Sequence, residues 1–207
     1  MYKHQYHYPD GNFELLYVTD YYPCRDPKTG EVNNDFYDNN CGILLDFKQN
    51  KGDSLDYVRG YLYNDPDWQK LTAELAGEDV HLYAFPSCTV DNFNSGLYAL
   101  IDDVCRANPG FFDAGKCLLR TKPLNPEEKK VSSHMATISK ALCVDITDES
   151  IAIIFDDVTT TGASLKAGHD ILKKAGYRTI ICIAIAKTVN TGNRSEERRV
   201  GKECRSR

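Results

Sequence analysis

The sequence predicts an α/β fold: three layers, with a mainly parallel, Rossmann-like sheet between two layers of helices. Three observations predict it. From Val80 onward, apolar runs of strand length alternate with segments of helical periodicity, in the order β-α-β-α-β-α-β. Two of those runs, Ile151–Phe155 (IAIIF) and Thr179–Ala186 (TIICIAIA), are continuously apolar, as central parallel strands buried on both faces should be. The first of them leads directly into Asp156-Asp157 and a hydroxyl-and-glycine loop. A helical segment, Leu165–Ala175, follows at once and is ended by Gly176.

In chain order, the Tyr-rich start of the chain reads as core and edge packing rather than a base-stacking platform. Phe13–Tyr22 has strand composition, and the Asp/Asn/Pro/Gly-rich Pro23–Asn40 is a long turn or loop. Cys41–Lys48 (CGILLDFK) fits a strand or a short helix, followed by the turn Gln49–Asp53. Trp68–Leu75 is helical and stops at Gly77. Val80–Phe85 is a strand ending at Pro86-Ser87, and Phe93–Ala107 is an amphipathic helix ended by Asn108-Pro109-Gly110. Lys116–Thr121 is a short strand, Lys122–Lys130 a polar loop and Ser132–Leu142 a further helix. Parallel sheets bind ligands at the carboxyl ends of their strands. Three such ends carry polar groups: Pro86-Ser87, Arg120-Thr121-Lys122 and Asp156-Asp157.

The last fourteen residues, Arg194–Arg207 (RSEERRVGKECRSR), resemble the in-frame translation of a common sequencing adapter and are left out of the fold reading. On that reading the natural coding sequence is cut near Asn193. The expected organisation is an N-terminal extension or small hood over 1–40, one α/β domain over 41–193 and a non-native tail over 194–207. Without the tail's six basic and three acidic residues, the net charge moves from −5 to −8. That balance excludes a general nucleic-acid or membrane-surface binder. No stretch approaches the roughly 18 apolar residues of a membrane span. Seven cysteines outside the tail are scattered, never in a C-x-x-C pair, and read as small buried hydrophobes in a reducing cytoplasm. A zinc site from Cys24, Cys41 and His4 or His7 lacks the usual ligand spacing.

The chemistry-bearing stretch is Ile151–Ser164 (IAIIFDDVTTTGAS). A strand–loop–helix junction aims backbone N–H groups and the positive end of a helix dipole at one point, a seat for a phosphate. Two carboxylates beside that seat repel a bare phosphate, so the ligand must offer them hydroxyls or a metal ion. A Walker A loop is excluded, because Gly162-Ala163-Ser164 lacks the Lys before Ser, and no G-x-G-x-x-G follows a strand. Phe155–Ser164 (FDDVTTTGAS), preceded by Ile151–Ile154, closely resembles the phosphoribosyl-diphosphate (PRPP) signature of type I phosphoribosyltransferases. Weaker features resemble the ComF-like branch, associated with competence and DNA uptake: Ile43–Lys48 with Lys51-Gly52, Asn92-Phe93-Asn94, Leu118–Thr121 and Ala184–Thr188. The general resemblance spans about Ile43–Val189, and only the Asp-Asp-Val-Thr-Thr-Thr-Gly core is specific.

The resemblance implies the type I phosphoribosyltransferase fold and a set of roles. Asp156 and Asp157 would accept hydrogen bonds from the ribose 2′- and 3′-hydroxyls, with Mg²⁺ met through those hydroxyls or water. Thr159, Thr160, Thr161, Gly162, Ala163 and Ser164 would wrap the 5′-phosphate. Ser87, Cys88 and Thr89 would hold the leaving diphosphate. Arg120 and Lys122, with Lys129 and Lys130 on a closing loop, would supply positive charge. The expected partners are PRPP and an unidentified nitrogen acceptor, in the cytoplasm, with no nucleic acid or membrane and with a homodimer left open. Two departures bear on activity. Thr160 stands where purine-salvage relatives have an acidic residue, and Ser87–Asp91 carries none of the arginines of the ComF-like loop. A phosphoribosyltransferase is therefore expected, with a catalytically reduced PRPP or nucleotide sensor, or a DNA-uptake accessory, as the alternative.

Overall fold

The computed structural model describes residues 1–25, 29–90, 94–125, 130–140 and 144–189. The adapter-like tail, Asp91, Asn92-Phe93, Lys129 and Cys143 lie outside the described residues. The protein is α/β, built on a six-stranded sheet of mostly parallel strands with helices on both faces. Strand β7 (Ile151–Thr159) lies inside the sheet, with β8 (Thr179–Thr188) on one side and β3 (Val80–Ala84) on the other, both parallel to it. Strand β4 (Phe111–Asp113) continues the sheet beyond β3 in parallel, and β2 (Gly11–Tyr21) continues it beyond β8 in parallel. Strand β1 (Tyr2–Tyr8) closes that edge as an antiparallel hairpin partner of β2.

The continuous apolar runs work as expected, because successive side chains point to opposite faces. On one face Ile153, Phe155, Leu82, Ala84, Ile183 and Ile185 share a core with Val58, Leu62, Trp68, Leu97, Leu100 and Ile101. Those partners come from α3 (Ser54–Tyr63), α4 (Pro66–Glu74) and α5 (Ser95–Ala107). On the other face Ala152, Ile154, Tyr83, Cys182 and Ala184 pack with Leu165 and Leu172 of α7 (Ala163–Lys174), and with Phe13 and Leu15 of β2. Tyr83 also hydrogen-bonds Tyr177 (2.9 Å), which pairs with buried His81, so this face carries an internal polar cluster among its apolar groups.

Several elements differ from their sequence expectation. Residues 1–40 do not stand apart, since β1 and β2 belong to the main sheet and β2 pairs with β8 over Leu16–Tyr21. Cys41–Phe47 is helical (α2) after a short helix α1 (Asn34–Asp38). The strand after α5 that joins the sheet is β4, not the Lys116–Thr121 run. Leu118–Arg120 (β5) instead pairs antiparallel with Ile138–Lys140 (β6) in a separate two-stranded ladder. The helix expected over Ser132–Leu142 accordingly ends early, as α6 (Val131–Thr137). Thr137 turns its hydroxyl back to the carbonyls of Ser133 and His134, and its own carbonyl accepts from Thr121. Those bonds compete with helix continuation. Cys117 is disulfide-bonded, which corrects the expectation of uniformly reduced thiols, whereas Cys24, Cys41, Cys88, Cys105 and Cys182 are free. Among the described residues no helix is long and apolar enough to cross a membrane.

The connections set the place of the site. From β3 the chain passes through α5 on one face and out to β4, whereas from β7 it passes through α7 on the other face and back to β8. The strand order therefore reverses between β3 and β7, and a crevice opens at their carboxyl ends, where open α/β sheets take ligands. One close contact fixes the rim of that crevice. Gly96, in the first turn of α5, sits so near the end of α2 that an added Cβ would lie 1.8 Å from the Phe47 carbonyl oxygen. The Ser95 hydroxyl donates to the Lys48 carbonyl (3.4 Å) beside it. Gly96→Ala is expected to destabilise the protein by about 2 kcal/mol, the cost of overpacking against backbone, and to lower the melting temperature by about 4–8 °C. A thermal melt indistinguishable from wild type would contradict this packing.

Candidate functional site

The crevice is a cavity of about 470 Å³ lined by three segments. Phe85–Cys88 follows β3, Asp156–Thr161 with Ala163-Ser164 spans the end of β7 and the start of α7, and Lys48-Gln49 follows α2; Asn94 and His134 complete it. The volume falls within the usual range of small-molecule sites, about 300–1,000 Å³.

Asp156 and Asp157 still belong to β7, whose pairing with β8 runs on to Thr159. The two-residue period of the strand therefore sends their side chains to opposite faces. Asp156 turns toward α7, where Oδ2 accepts from the Ser164 hydroxyl (2.5 Å), and Oδ1 accepts from the Asp157 amide (3.0 Å). Asp157 turns toward α5. Its Oδ2 accepts from the Asn94 side-chain amide (2.6 Å) and pairs with the Lys48 ammonium (3.2 Å), and its Oδ1 accepts from the Val158 amide (2.5 Å). Asn94 is also the N-cap of α5, accepting from the Leu97 amide (3.1 Å), so one side chain ties the helix start to the carboxylate.

Burial is the main force raising the Asp156 carboxyl, to about 7, with the Asp157 charge adding to it and the Ser164 hydrogen bond and Lys48 opposing it. Burial alone would lower the Lys48 ammonium, but the Asp157 carboxylate outweighs it and holds Lys48 above its ordinary value. The cavity thus contains a carboxyl that holds a proton near neutrality, beside an ion-paired carboxylate.

The loop after the strand has the form of an anion seat. Gly162 stands at φ +73°, a left-handed conformation that favours glycine, and serves as N-cap of α7. Its amide donates to the Thr159 hydroxyl (3.1 Å), and the Ala163 amide donates to the Thr161 hydroxyl (3.4 Å), which closes a tight turn. The Thr160 hydroxyl bonds that of Thr188 at the end of β8 (2.9 Å). First-turn amides of a helix have no partner within it, and Ala163 and Ser164 place that end of α7 at the cavity wall. Lys173 and Lys174 lie in the last turn, as the helix dipole favours.

The remaining expected site residues divide. Ser87 and Cys88 line the cavity. Thr89 is exposed beside them, in a turn closed by its amide and hydroxyl on the Ser87 hydroxyl (3.4 and 3.3 Å). Arg120 and Lys122 do not line it. Arg120 is buried, and its guanidinium is committed to the Ser87 carbonyl (2.8 Å), the Pro86 carbonyl (3.3 Å) and the Thr137 hydroxyl (2.5 Å). It braces the strand-end loop from behind, over the Phe85 ring. Burial pulls Arg120 below its ordinary value, with Asp156 and Cys88 acting against that. Lys122 and Lys130 are exposed. Among the described residues the Lys or Arg that lines the cavity is Lys48, and buried His134, edge-on to Phe85, lines it as well. Lys48 and Asn94 had been noted only as parts of weak resemblances. An Asn directly before a helical run is the cap signal that marks Asn94. Nothing in sequence brings Lys48 to Asp157.

The two carboxylates do not form a ready metal cage. Their oxygens accept from Ser164, Asn94, Lys48 and backbone amides, and among the described residues no group of three or more His, Cys, Asp or Glu side chains is arranged to hold a metal ion. No family model matches the chain, and no curated protein matches it either.

The raised Asp156 carboxyl makes stability pH-dependent in a defined sense. Its folded value lies above its unfolded one, so the native state binds more protons between about pH 4 and 7 and loses stability as pH rises through that window. Asp156→Asn keeps the shape and removes the ionisation. With about 1.4 kcal/mol per pKa unit, the variant is expected to melt about 5 °C or more above wild type at pH 8, with the gap closing at pH 4. A difference independent of pH would contradict the assignment.

Proposed function

We propose that this chain is a type I phosphoribosyltransferase-like protein that binds PRPP and transfers its ribose 5-phosphate to a nitrogen acceptor, releasing diphosphate. The observation that carries the reading is the convergence of Asp156, Asp157 and the Thr159–Ser164 loop on one cavity at the strand-order reversal. The loop takes the 5′-phosphate through backbone N–H groups, threonine hydroxyls and the α7 dipole. Asp157 and Asp156 receive the 2′- and 3′-hydroxyls on the two sides of the strand end. Among the described residues Lys48 is the cavity cation available to the departing diphosphate, with Ser87 and Cys88 also lining the cavity. Holding the sugar between these groups aligns C1 with its acceptor and neutralises the leaving group. The carboxylate donors suit a magnesium ion that arrives on the diphosphate and keeps its waters, rather than one caged by protein. When bound, such an ion adds charge neutralisation of the diphosphate.

A second reading has one observation in its favour. Arg120 is committed to backbone carbonyls and the loop at Ser87–Thr89 has no basic side chain, which leaves less charge for the leaving diphosphate than transfer calls for. On that reading the protein senses PRPP or a nucleotide, as a regulator or a DNA-uptake accessory.

Incubation with PRPP, magnesium and a panel of bases and amines, with diphosphate release as readout, separates the two. The transferase reading expects release with at least one acceptor, abolished by Asp157→Ala and lowered about tenfold to a hundredfold by Lys48→Met, the range for losing a charged hydrogen bond. Tight PRPP binding without release across the panel would favour the sensor. Absence of PRPP binding would contradict the transferase and confine the second reading to a nucleotide ligand.

A further inference from the structure

The anion loop has a second wall, contributed by the far edge of the sheet. Tyr6 and Tyr8 are two apart on β1 and therefore share a face. The Tyr6 hydroxyl donates to the Thr160 carbonyl (3.1 Å), and the Tyr8 hydroxyl donates to the Thr161 carbonyl (2.8 Å). Neither tyrosine lines the cavity, so both carbonyls are drawn to the side of the loop that faces β1. In a trans peptide the C=O and the following N–H point in opposite directions. Fixing the Thr160 and Thr161 carbonyls thus fixes the Thr161 and Gly162 N–H groups on the other side of the loop. The Gly162 N–H is used within the turn, on the Thr159 hydroxyl, and by the same peptide geometry the Thr161 N–H faces away from the tyrosines.

Three further contacts make this wall rigid. The Tyr6 ring lies against Gly162 so closely that an added Cβ would be 2.6 Å from Cε2, and the ring and the left-handed glycine interlock. The β1–β2 hairpin is paired over its whole length, Tyr2↔Tyr17 to Tyr8↔Gly11. Its turn is pinned to α7 by buried Lys166, which pairs with Asp10 (2.9 Å) and Asp170 (2.6 Å) and lies over the Tyr8 ring. Burial raises the Tyr6 phenol to about 12, so it stays a donor across the working pH range.

We propose that Tyr6 and Tyr8 are positioning residues for anion binding, whose hydroxyls hold the Thr160–Gly162 peptide planes in the ligand-ready orientation before the ligand arrives. This rests on the reading of Thr159–Ser164 as a phosphate seat. The geometry removes an ordering cost that a free loop would meet on binding.

The test titrates inorganic phosphate into the full chain, wild type and Tyr6→Phe/Tyr8→Phe, by calorimetry and by amide NMR. Each substitution removes one hydroxyl with its hydrogen bond and keeps the ring. The double variant is expected to bind phosphate about tenfold or more weakly, threefold to tenfold per bond lost. Its Thr161 and Gly162 amide signals should broaden in the free protein and sharpen again at saturation, a signature that general destabilisation does not produce. The single variants Tyr6→Phe and Tyr8→Phe are read in the same way and decide the matter if the double variant does not fold. Phosphate affinity within twofold of wild type in a folded variant would overturn the proposal, as would a loss that merely tracks unfolding. Wild-type protein that binds no phosphate would overturn the anion-seat reading and this proposal with it.

Discussion

The site depends on the two-residue period of a β-strand continued one step past its core. While β7 is buried, alternation sends Ile153 and Phe155 to one helical layer and Ile154 to the other. At the strand's end the same alternation places Asp157 on the first side and Asp156 on the second. Each carboxylate then meets the helix start of its own layer, Asn94 at α5 and Ser164 at α7. Two adjacent like charges are separated without a special turn, and both open onto the crevice where the strand order reverses. A one-residue slip of β7 against its neighbours would exchange the two environments and bury the wrong faces together.

Electrostatics follow from that placement. Asp156, the more enclosed of the two, gains a proton affinity near neutrality, and Asp157 is balanced by Lys48. The pair therefore presents less negative charge to an anionic ligand than two free carboxylates would. It keeps acceptor oxygens for hydroxyl donors, and on the proposed reading the adjoining loop supplies N–H donors for phosphate. Acceptors beside an anion seat are the basis for proposing a phosphorylated polyol rather than a bare phosphate.

Much of this was legible in the sequence, and the reasons for the exceptions are physical. Ile151–Ser164 was readable because strand, loop and helix each carry a local signal: continuous apolar residues, a glycine needing positive φ and a periodic run behind it. Composition predicts a strand over Lys116–Thr121 but not the sheet it joins, because a short run of suitable composition does not encode its partner. The three-residue β4 that takes its place gives no periodic signal at all. The helix expected through Leu142 stopped at Thr137 because its back-bonded hydroxyl and the β5 ladder outcompeted a weak helical pattern. Arg120 was expected in the site from its position at a strand end, yet burial directed its donors to nearby carbonyls. Lys48, Tyr6 and Tyr8 reach the site only through tertiary contacts spanning about a hundred residues or more of chain, and no local pattern announces those.

On the proposed reading the strand end takes a sugar's hydroxyls while the loop takes its phosphate. The most direct measurement compares, by calorimetry, the binding of ribose 5-phosphate and 2-deoxyribose 5-phosphate to wild type and to Asp157→Ala. The ribose form is expected to bind wild type about tenfold or more tightly than the deoxy form, as loss of a hydrogen bond to a charged group implies. This preference is expected to collapse in the variant. Equal affinity of the wild-type protein for the two sugars would contradict that reading.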